Sequence, residues 1–239
     1  METSITSGYV SADGHVVEPP DLWTSRIEQR FRDRAPRIES RPDGDYYIME
    51  GRPPAPITGL EGAMMNEKMA GKIETIRPHR FADARPGAWD PHARLADQDL
   101  DNLRAEAIYP GIGLGFFAFP DVEFQRACFQ AYNDWLSEFC SVAPDRLLGA
   151  GLLSVKGPVE WAIEEAERVA KKGLRSVSIP AVVPERPYSR SNEYEPMWAA
   201  LQDLGLPVAV HAGTGVDLMK SFMELGPGMF VVENKIAVS

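Results

Sequence analysis

The chain is 239 residues long, 44% hydrophobic, with a formal net charge of -10. That length and apolar content suffice for the core of one large α/β domain or two small ones. The acidic balance excludes nucleic acid and anionic membrane as expected partners, since both need a basic face to neutralise phosphates, and leaves small molecules.

In chain order, Tyr9 to Ala12 begins a β-leaning run whose far end carries Asp13, His15 and Glu18 just ahead of Pro19-Pro20, which ends any strand. The pattern predicts a strand near residues 9 to 15 that delivers ligands at its C-terminal tip. Side chains alternate along a strand, so Asp13 and His15 share a side and can reach one ion. Asp21 is placed as the N-cap of a helix opened by Leu22-Trp23, followed by an amphipathic turn from Ile27 to Phe31. From Pro36 to Ala88 prolines and glycines are dense, which marks an inserted segment, 36–88, with a hairpin turning at Asp43-Gly44. Its Met64, Met65 and Met69 suit a mobile lid over a ligand or simple gap filling.

Beyond Trp89 the pattern is regular. Asp90-Pro91 starts a helix with Leu95, Leu100 and Leu103 as its buried stripe, running to about Arg104. A strand near 105 to 110 has a Gly-rich exit, and Pro120-Asp121 opens a long helix burying Phe124, Cys128, Ala131, Trp135 and Phe139. A strand near 147 to 154 is followed by a helix from Pro158 with Ile163, Ala166 and Ala170 inward and Gly173 as its C-terminal cap. A strand near 175 to 180, a helix through Tyr194, Met197, Trp198, Leu201 and Leu204, and a strand near 206 to 211 complete the series. His211 stands at that last tip, ahead of Ala212-Gly213. Val216 to Leu225 can form one more helix, and residues 226 to 239 are β-prone.

Five mostly apolar strands separated by helices predict a parallel sheet buried on both faces, either doubly wound or a (β/α)8 barrel. The first strand lacks the Gly-rich phosphate loop of the doubly wound class, and Gly111-Ile112-Gly113-Leu114-Gly115 places Phe116 where the dinucleotide fingerprint needs glycine. Ligands at strand tips suit a barrel, whose chemistry sits on that face. The residues after His211 are fewer than the about 30 that one further strand-helix-strand unit takes. The barrel is therefore expected to stop after about strand five. Cys128 and Cys140, if on one helix, lie roughly 18 Å apart, too far for a disulfide. A cytoplasmic location is expected, since no signal-peptide core or bilayer span is visible.

Asp13-Gly14-His15 with Glu18-Pro19 and Asp21-Leu22-Trp23, Asp90-Pro91 with Arg94-Leu95-Ala96-Asp97, Ala143-Pro144-Asp145-Arg146, and Val210-His211-Ala212-Gly213-Thr214-Gly215 together resemble the amidohydrolase-related family. The likeness is to its branch of metal-dependent barrels that contains aminocarboxymuconate-semialdehyde and resorcylate-type decarboxylases, and it covers residues 9 to about 216. The resemblance implies one amidohydrolase-type domain, 1–239, with an insertion that helps roof the site. It implies a divalent ion, Zn(II) or Mn(II), held by Asp13, His15 and His211, with a further aspartate from a strand eight that has no counterpart before Ser239.

Mixed imidazole and carboxylate ligands suit such ions, and an open metal position can activate water or bind substrate oxygens. Arg186, after the fourth strand, is a candidate to grip a substrate carboxylate, with a surface salt bridge as the plainer alternative. Glu18 is read as a supporting or surface group, and His79 and His92 as solvated. Two function classes stand: a metal-dependent hydrolase or non-oxidative decarboxylase acting on a small carboxylated or cyclic substrate, or a catalytically inactive chain that binds metal or a completing partner. An open sheet edge also predicts a homo-oligomer or dependence on a complementing chain.

Overall fold

Outside the insertion, strands and helices alternate along the chain as the apolar pattern predicts, in a computed structural model that describes residues 8–57, 79–190, 192–211 and 214–215. The strands are β1 (Tyr9–His15), β2 (Arg37–Arg41), β3 (Gly44–Ile48), β4 (Ala55–Pro56), β5 (Leu103–Tyr109), β6 (Leu147–Leu152), β7 (Ser176–Pro180) and β8 (Val208–His211). The helices are α1 (Leu22–Arg26), α2 (Pro91–Leu100), α3 (Val122–Ser141), α4 (Val159–Lys171) and α5 (Glu195–Asp203). The main sheet has the order β1-β5-β6-β7-β8. That order follows the chain without the reversal that defines a doubly wound sheet. The fold is therefore that of the first five strands of a (β/α)8 barrel. Residues 64, 65, 69 and 216–239, which carry the lid, last-helix and β-prone expectations, lie outside the described residues.

The chain divides into two compact units, Met1–Gly111 with Glu138–Leu148, and Ile112–Ser137 with Gly149–Ser239. In the first unit β1 and β5 pair in parallel, with Ser11 opposite Glu106 and Gly14 opposite Ile108. Three residues of β1 thus span two of β5, a bulge that holds Ala12 and Asp13 just before the tip. The insertion forms an antiparallel sheet β2-β3-β4, and Arg41 opposite Gly44 sets the hairpin turn at Pro42-Asp43, one residue earlier than the sequence suggests.

Helix α2 departs from the leucine stripe. Asp90 caps it by accepting the Ala93 N–H at 2.8 Å, but the helix ends at Leu100, which is 79% exposed, and Asn102 takes a left-handed φ of 55° that turns the chain into β5. The buried face instead carries Gln98 and most of Arg94, because the strand beneath offers a carboxylate, Glu106. An inward polar stripe with a buried partner is invisible to apolar periodicity.

In the second unit β6, β7 and β8 pair in parallel, with Gly151 opposite Val177 and Pro180 opposite His211. Phe124, Cys128, Ala131, Trp135 and Phe139 of α3 are buried as predicted, and both cysteines lie on that helix as buried thiols. Phe116 and Phe119 stack at 4.7 Å and Phe117 meets Phe129 edge-on at 4.8 Å, so the glycine-rich exit of β5 becomes an aromatic plug. Each such side chain contributes about 1.5–3 kcal/mol on burial.

Helix α4 buries Ala162, Glu165, Ala166 and Val169, a stripe that leaves Ile163 and Ala170 only half-buried. Glu165 is admitted to that face because Asn133 and Arg168 both donate to it at 2.7 Å. Gly173 closes the helix at φ 89°, with the Leu174 N–H returning to the Val169 carbonyl. β7 is buried on both faces, while β1 and β8 expose Tyr9, Val10, Val208 and Val210. The expectation of a sheet buried throughout therefore fails at its two outermost strands.

Candidate metal centre

The site is built on the tip of β1. Asp13 and His15 point to the same, exposed side, with Gly14 between them turned into the protein, as strand alternation requires. Asp13 Oδ1 lies 3.3 Å from His15 Nε2. The other ring nitrogen, Nδ1, sits 2.8 Å from the carbonyl oxygen of Pro110, at the exit of β5. A carbonyl can only accept, so Nδ1 carries a proton toward Pro110 and Nε2 is the ring nitrogen turned toward the carboxylate. The Tyr109 ring lies 6.1 Å from the imidazole, and its phenol is pushed above the ordinary range by burial and then by the Asp13 carboxylate.

The backbone behind the pair is fixed as well. Arg94 Nη1 donates to the carbonyl of His15 at 3.1 Å, and the Val16 N–H bonds to the Tyr109 carbonyl at 3.1 Å. Glu18 is buried, which removes the surface reading, and it packs close to Gly111: a Cβ at Gly111 would meet Glu18 Oε2 at 3.1 Å and the Val16 carbonyl at 2.5 Å. Glycine at that position lets the exit of β5 approach the tip of β1.

His211 belongs to the second unit and ends β8, half-buried. Its carbonyl accepts the Thr214 hydroxyl at 2.6 Å, and the same Thr214 oxygen accepts the Ala181 N–H at 2.8 Å. Gly215 follows at φ 88°, where an added Cβ would lie 1.8 Å from the Val182 carbonyl. The Thr-Gly after the histidine is a lock on the strand tip, and the sequence carried its signal in Val210-His211-Ala212-Gly213-Thr214-Gly215.

Arg186 is engaged inside the second unit. It donates to the Gly157 carbonyl at 2.8 Å, to the Val155 carbonyl, to the Tyr194 hydroxyl at 3.1 Å and to Glu193 at 2.7 Å. Those bonds pin the loop after β6, and a grip on a substrate carboxylate would have to exchange some of them. Lys156, on that same loop, is half-buried, and burial pushes its ammonium below the ordinary lysine range against the opposing pull of Glu185. His92 is exposed in the first turn of α2, as expected. His79 differs: its Nε2 is buried without a hydrogen-bond partner among the described residues.

The donor set fits a divalent ion. One strand tip supplies a carboxylate oxygen and an imidazole nitrogen whose remote nitrogen is anchored to a carbonyl, the arrangement that orients metal-binding histidines. Sequence reasoning placed Asp13 and His15 together at one strand tip, as observed, and missed the groups packed behind them, Arg94, Glu106, Gln98 and the Pro110 carbonyl. An acidic residue between apolar neighbours in β5, Ala105-Glu106-Ala107-Ile108, was the available signal.

A family model described as amidohydrolase matches residues 12–233. Among solved structures, an amidohydrolase from Mycobacterium avium subsp. paratuberculosis K-10 superposes with a TM-score of 0.72 at 22% identity, over 96% of this chain and 65% of that one. A 2,6-dihydroxybenzoate decarboxylase from Rhizobium gives a TM-score of 0.55 at 16% identity, over 93% and 55%. A dihydroxybenzoic acid decarboxylase from Polaromonas sp. JS666, with bound manganese and the inhibitor 2-nitroresorcinol, gives 0.55 at 14%, over 97% and 59%. At these identities the likeness is one of fold, and the chain spans under two thirds of the length of each of these proteins. A search of curated proteins finds no match.

Proposed function

This chain belongs to the amidohydrolase family, whose model matches residues 12–233, and from that premise we propose that it serves a metal-dependent hydrolase or non-oxidative carboxy-lyase acting on a small carboxylated or cyclic substrate. One divalent ion, Zn(II) or Mn(II), is held by Asp13, His15 and His211. The observation that carries the proposal is the Asp13–His15 pair at 3.3 Å with Nδ1 tied to Pro110. When bound, such an ion supplies Lewis acidity toward a substrate oxygen.

The residues around it orient and shield. The Pro110 carbonyl holds the tautomer, Arg94 and Thr214 hold the backbone of the two histidines, and the 36–88 insertion roofs the site of a single domain, 1–239. Arg186 meets a substrate carboxylate by trading one of its internal partners. The manganese and the dihydroxybenzoic acid named for the Polaromonas protein favour the carboxy-lyase arm. The two buried thiols agree with a cytoplasmic location.

Metal analysis of the full chain and of two variants tests the ligand set. His211→Ala should lower occupancy sharply and His92→Ala should leave it unchanged; equal loss from both refutes the assignment. Release of CO2 from 2,6-dihydroxybenzoate, set against hydrolysis of an aryl ester, then separates lyase from hydrolase.

A second reading, a chain inactive until it associates, draws on the apolar side chains of the outer strands. Tyr9 and Val10 are 71% and 64% exposed on β1, and Val210 is 57% exposed on β8. We propose that these strands pair with another copy or with a completing polypeptide segment. Sedimentation that finds a stable monomer with full metal-dependent turnover rejects this reading.

A further inference from the structure

Beneath the tip of β1 lies a charged cluster of which the proposed function uses only the Arg94 bond to the His15 carbonyl. Glu106 projects from β5, and its side chain is only 7% exposed. Arg94 grips it from α2 through Nε at 2.8 Å and Nη2 at 2.6 Å, and Gln98 donates to the same carboxylate at 3.0 Å. The remaining nitrogen of the guanidinium, Nη1, leaves the pair and donates to the His15 carbonyl at 3.1 Å and the Gly87 carbonyl at 3.2 Å. One arginine thus links a buried carboxylate to the backbone of a proposed metal ligand.

The contact with β1 is close. Glu106 lies opposite Ser11, at the start of the bulge, and Gly14 ends it. A Cβ on Gly14 would sit 2.0 Å from Glu106 Oε1, so the carboxylate occupies the space a side chain would take between Asp13 and His15. The bulge aims Asp13, the glycine lets the strand settle on the carboxylate, and Arg94 fixes the height of the next residue.

Stability alone does not call for this design. A buried ion pair is often matched or bettered by apolar residues of similar volume. Gln98 Oε1 is also left buried with no hydrogen-bond partner among the described residues, a penalty an apolar cluster would avoid. What the ion pair adds is direction: two carbonyls and one carboxylate held by a single planar guanidinium.

We propose that Glu106 and Arg94 are positioning residues for the Asp13–His15 pair, setting the bulged tip of β1 from below so that Oδ1 and Nε2 face one ion. The inference rests on the metal reading above and extends it to residues that touch neither metal nor substrate.

The test is Mn(II) affinity, measured by calorimetry on the full chain for Glu106→Gln, Arg94→Lys, His15→Ala and the double variants with His15→Ala. Circular dichroism at the titration temperature establishes which variants are folded. Glu106→Gln and Arg94→Lys should each weaken Mn(II) binding by about 10- to 100-fold, the range seen when partners behind a metal ligand are removed. In the His15→Ala background each should weaken it by a clearly smaller factor than in the native chain, because the part of the effect that passes through His15 is gone. Arg94→Lys keeps a cation beside Glu106 while removing the fork, and it carries the test if Glu106→Gln does not fold.

Unchanged affinity in folded Glu106→Gln and Arg94→Lys, with affinity still lost in His15→Ala, overturns this inference and leaves the metal site standing. Additive losses in the double variants overturn it too, since they mark a merely structural role. No loss in His15→Ala overturns the metal site and the inference together.

Discussion

The Thr214 hydroxyl donates to the His211 carbonyl at 2.6 Å while its oxygen accepts the Ala181 N–H at 2.8 Å, so one buried side chain ties the tip of β8 to the exit of β7. Thr214→Val keeps the shape and removes both bonds. The expected loss is about 1–3 kcal/mol, the penalty for a buried polar group left unsatisfied. Urea unfolding measures it, and Thr214→Ser should recover most of the difference.

Gly173 and Gly215 share nearly the same left-handed backbone, φ 89° and 88°, in different surroundings. A Cβ at Gly173 meets nothing within 4 Å, whereas at Gly215 it would lie 1.8 Å from the Val182 carbonyl. Gly173→Ala should cost about 1–2 kcal/mol from backbone conformation alone. Gly215→Ala should cost clearly more, and the lowering of Tm, at roughly 2–4 °C per kcal/mol for a chain of this size, should separate the two. Equal shifts would mean that the turn after β8 yields without strain.

Asn133 joins three elements of the second unit. It donates to the Leu152 carbonyl at 3.0 Å and to Glu165 at 2.7 Å, and accepts the Leu152 N–H at 2.7 Å. Asn133→Ala leaves a buried N–H and a buried carbonyl unsatisfied at about 1–3 kcal/mol each. Chemical denaturation should show a loss near the sum of the two, and a loss below about 1 kcal/mol would show that water replaces the amide.

Burial alone would raise the Asp45 carboxyl, but the Phe81 N–H, the Ser40 hydroxyl and the Arg80 guanidinium outweigh it and hold the group below its ordinary range. A lowered carboxylate stabilises the folded state fully above the unfolded value of about 3.9 and loses that contribution as pH falls through the folded value. The gap in urea midpoint between the native chain and Asp45→Asn should therefore be constant at pH 6 to 7 and narrow below about pH 4. A gap that widens on acidification would reverse the sign.

The five parallel strands were legible because each is a short apolar run bounded by turn residues, and β1, β6 and β7 fall within a residue or two of their predicted limits. Asp13, His15 and His211 were legible as candidates because polar residues at the ends of apolar runs stand out, and the structure places them at the ends of β1 and β8. Arg94 and Gln98 were not, since their inward face is set by Glu106 on a neighbouring strand, and no single-chain periodicity reports a partner across space. Leu100 was misplaced for the same reason: with the polar residues turned inward, the leucine was left outside. Glu165 on α4 repeats the case, admitted to the interior by Asn133 and Arg168.

The bond between His15 and Pro110 spans 95 residues of sequence, and most of the intervening chain is the insertion. The setting of His15 therefore exists only once β1 and β5 have paired, and no local fragment reproduces it. The entropy of closing such a loop grows slowly, by about 0.6 kcal/mol for each doubling of length. The insertion can be exchanged for one of quite different size while the register that ties His15 to Pro110 is kept, so the sequence between β1 and β5 is free to diversify without moving the strand tip.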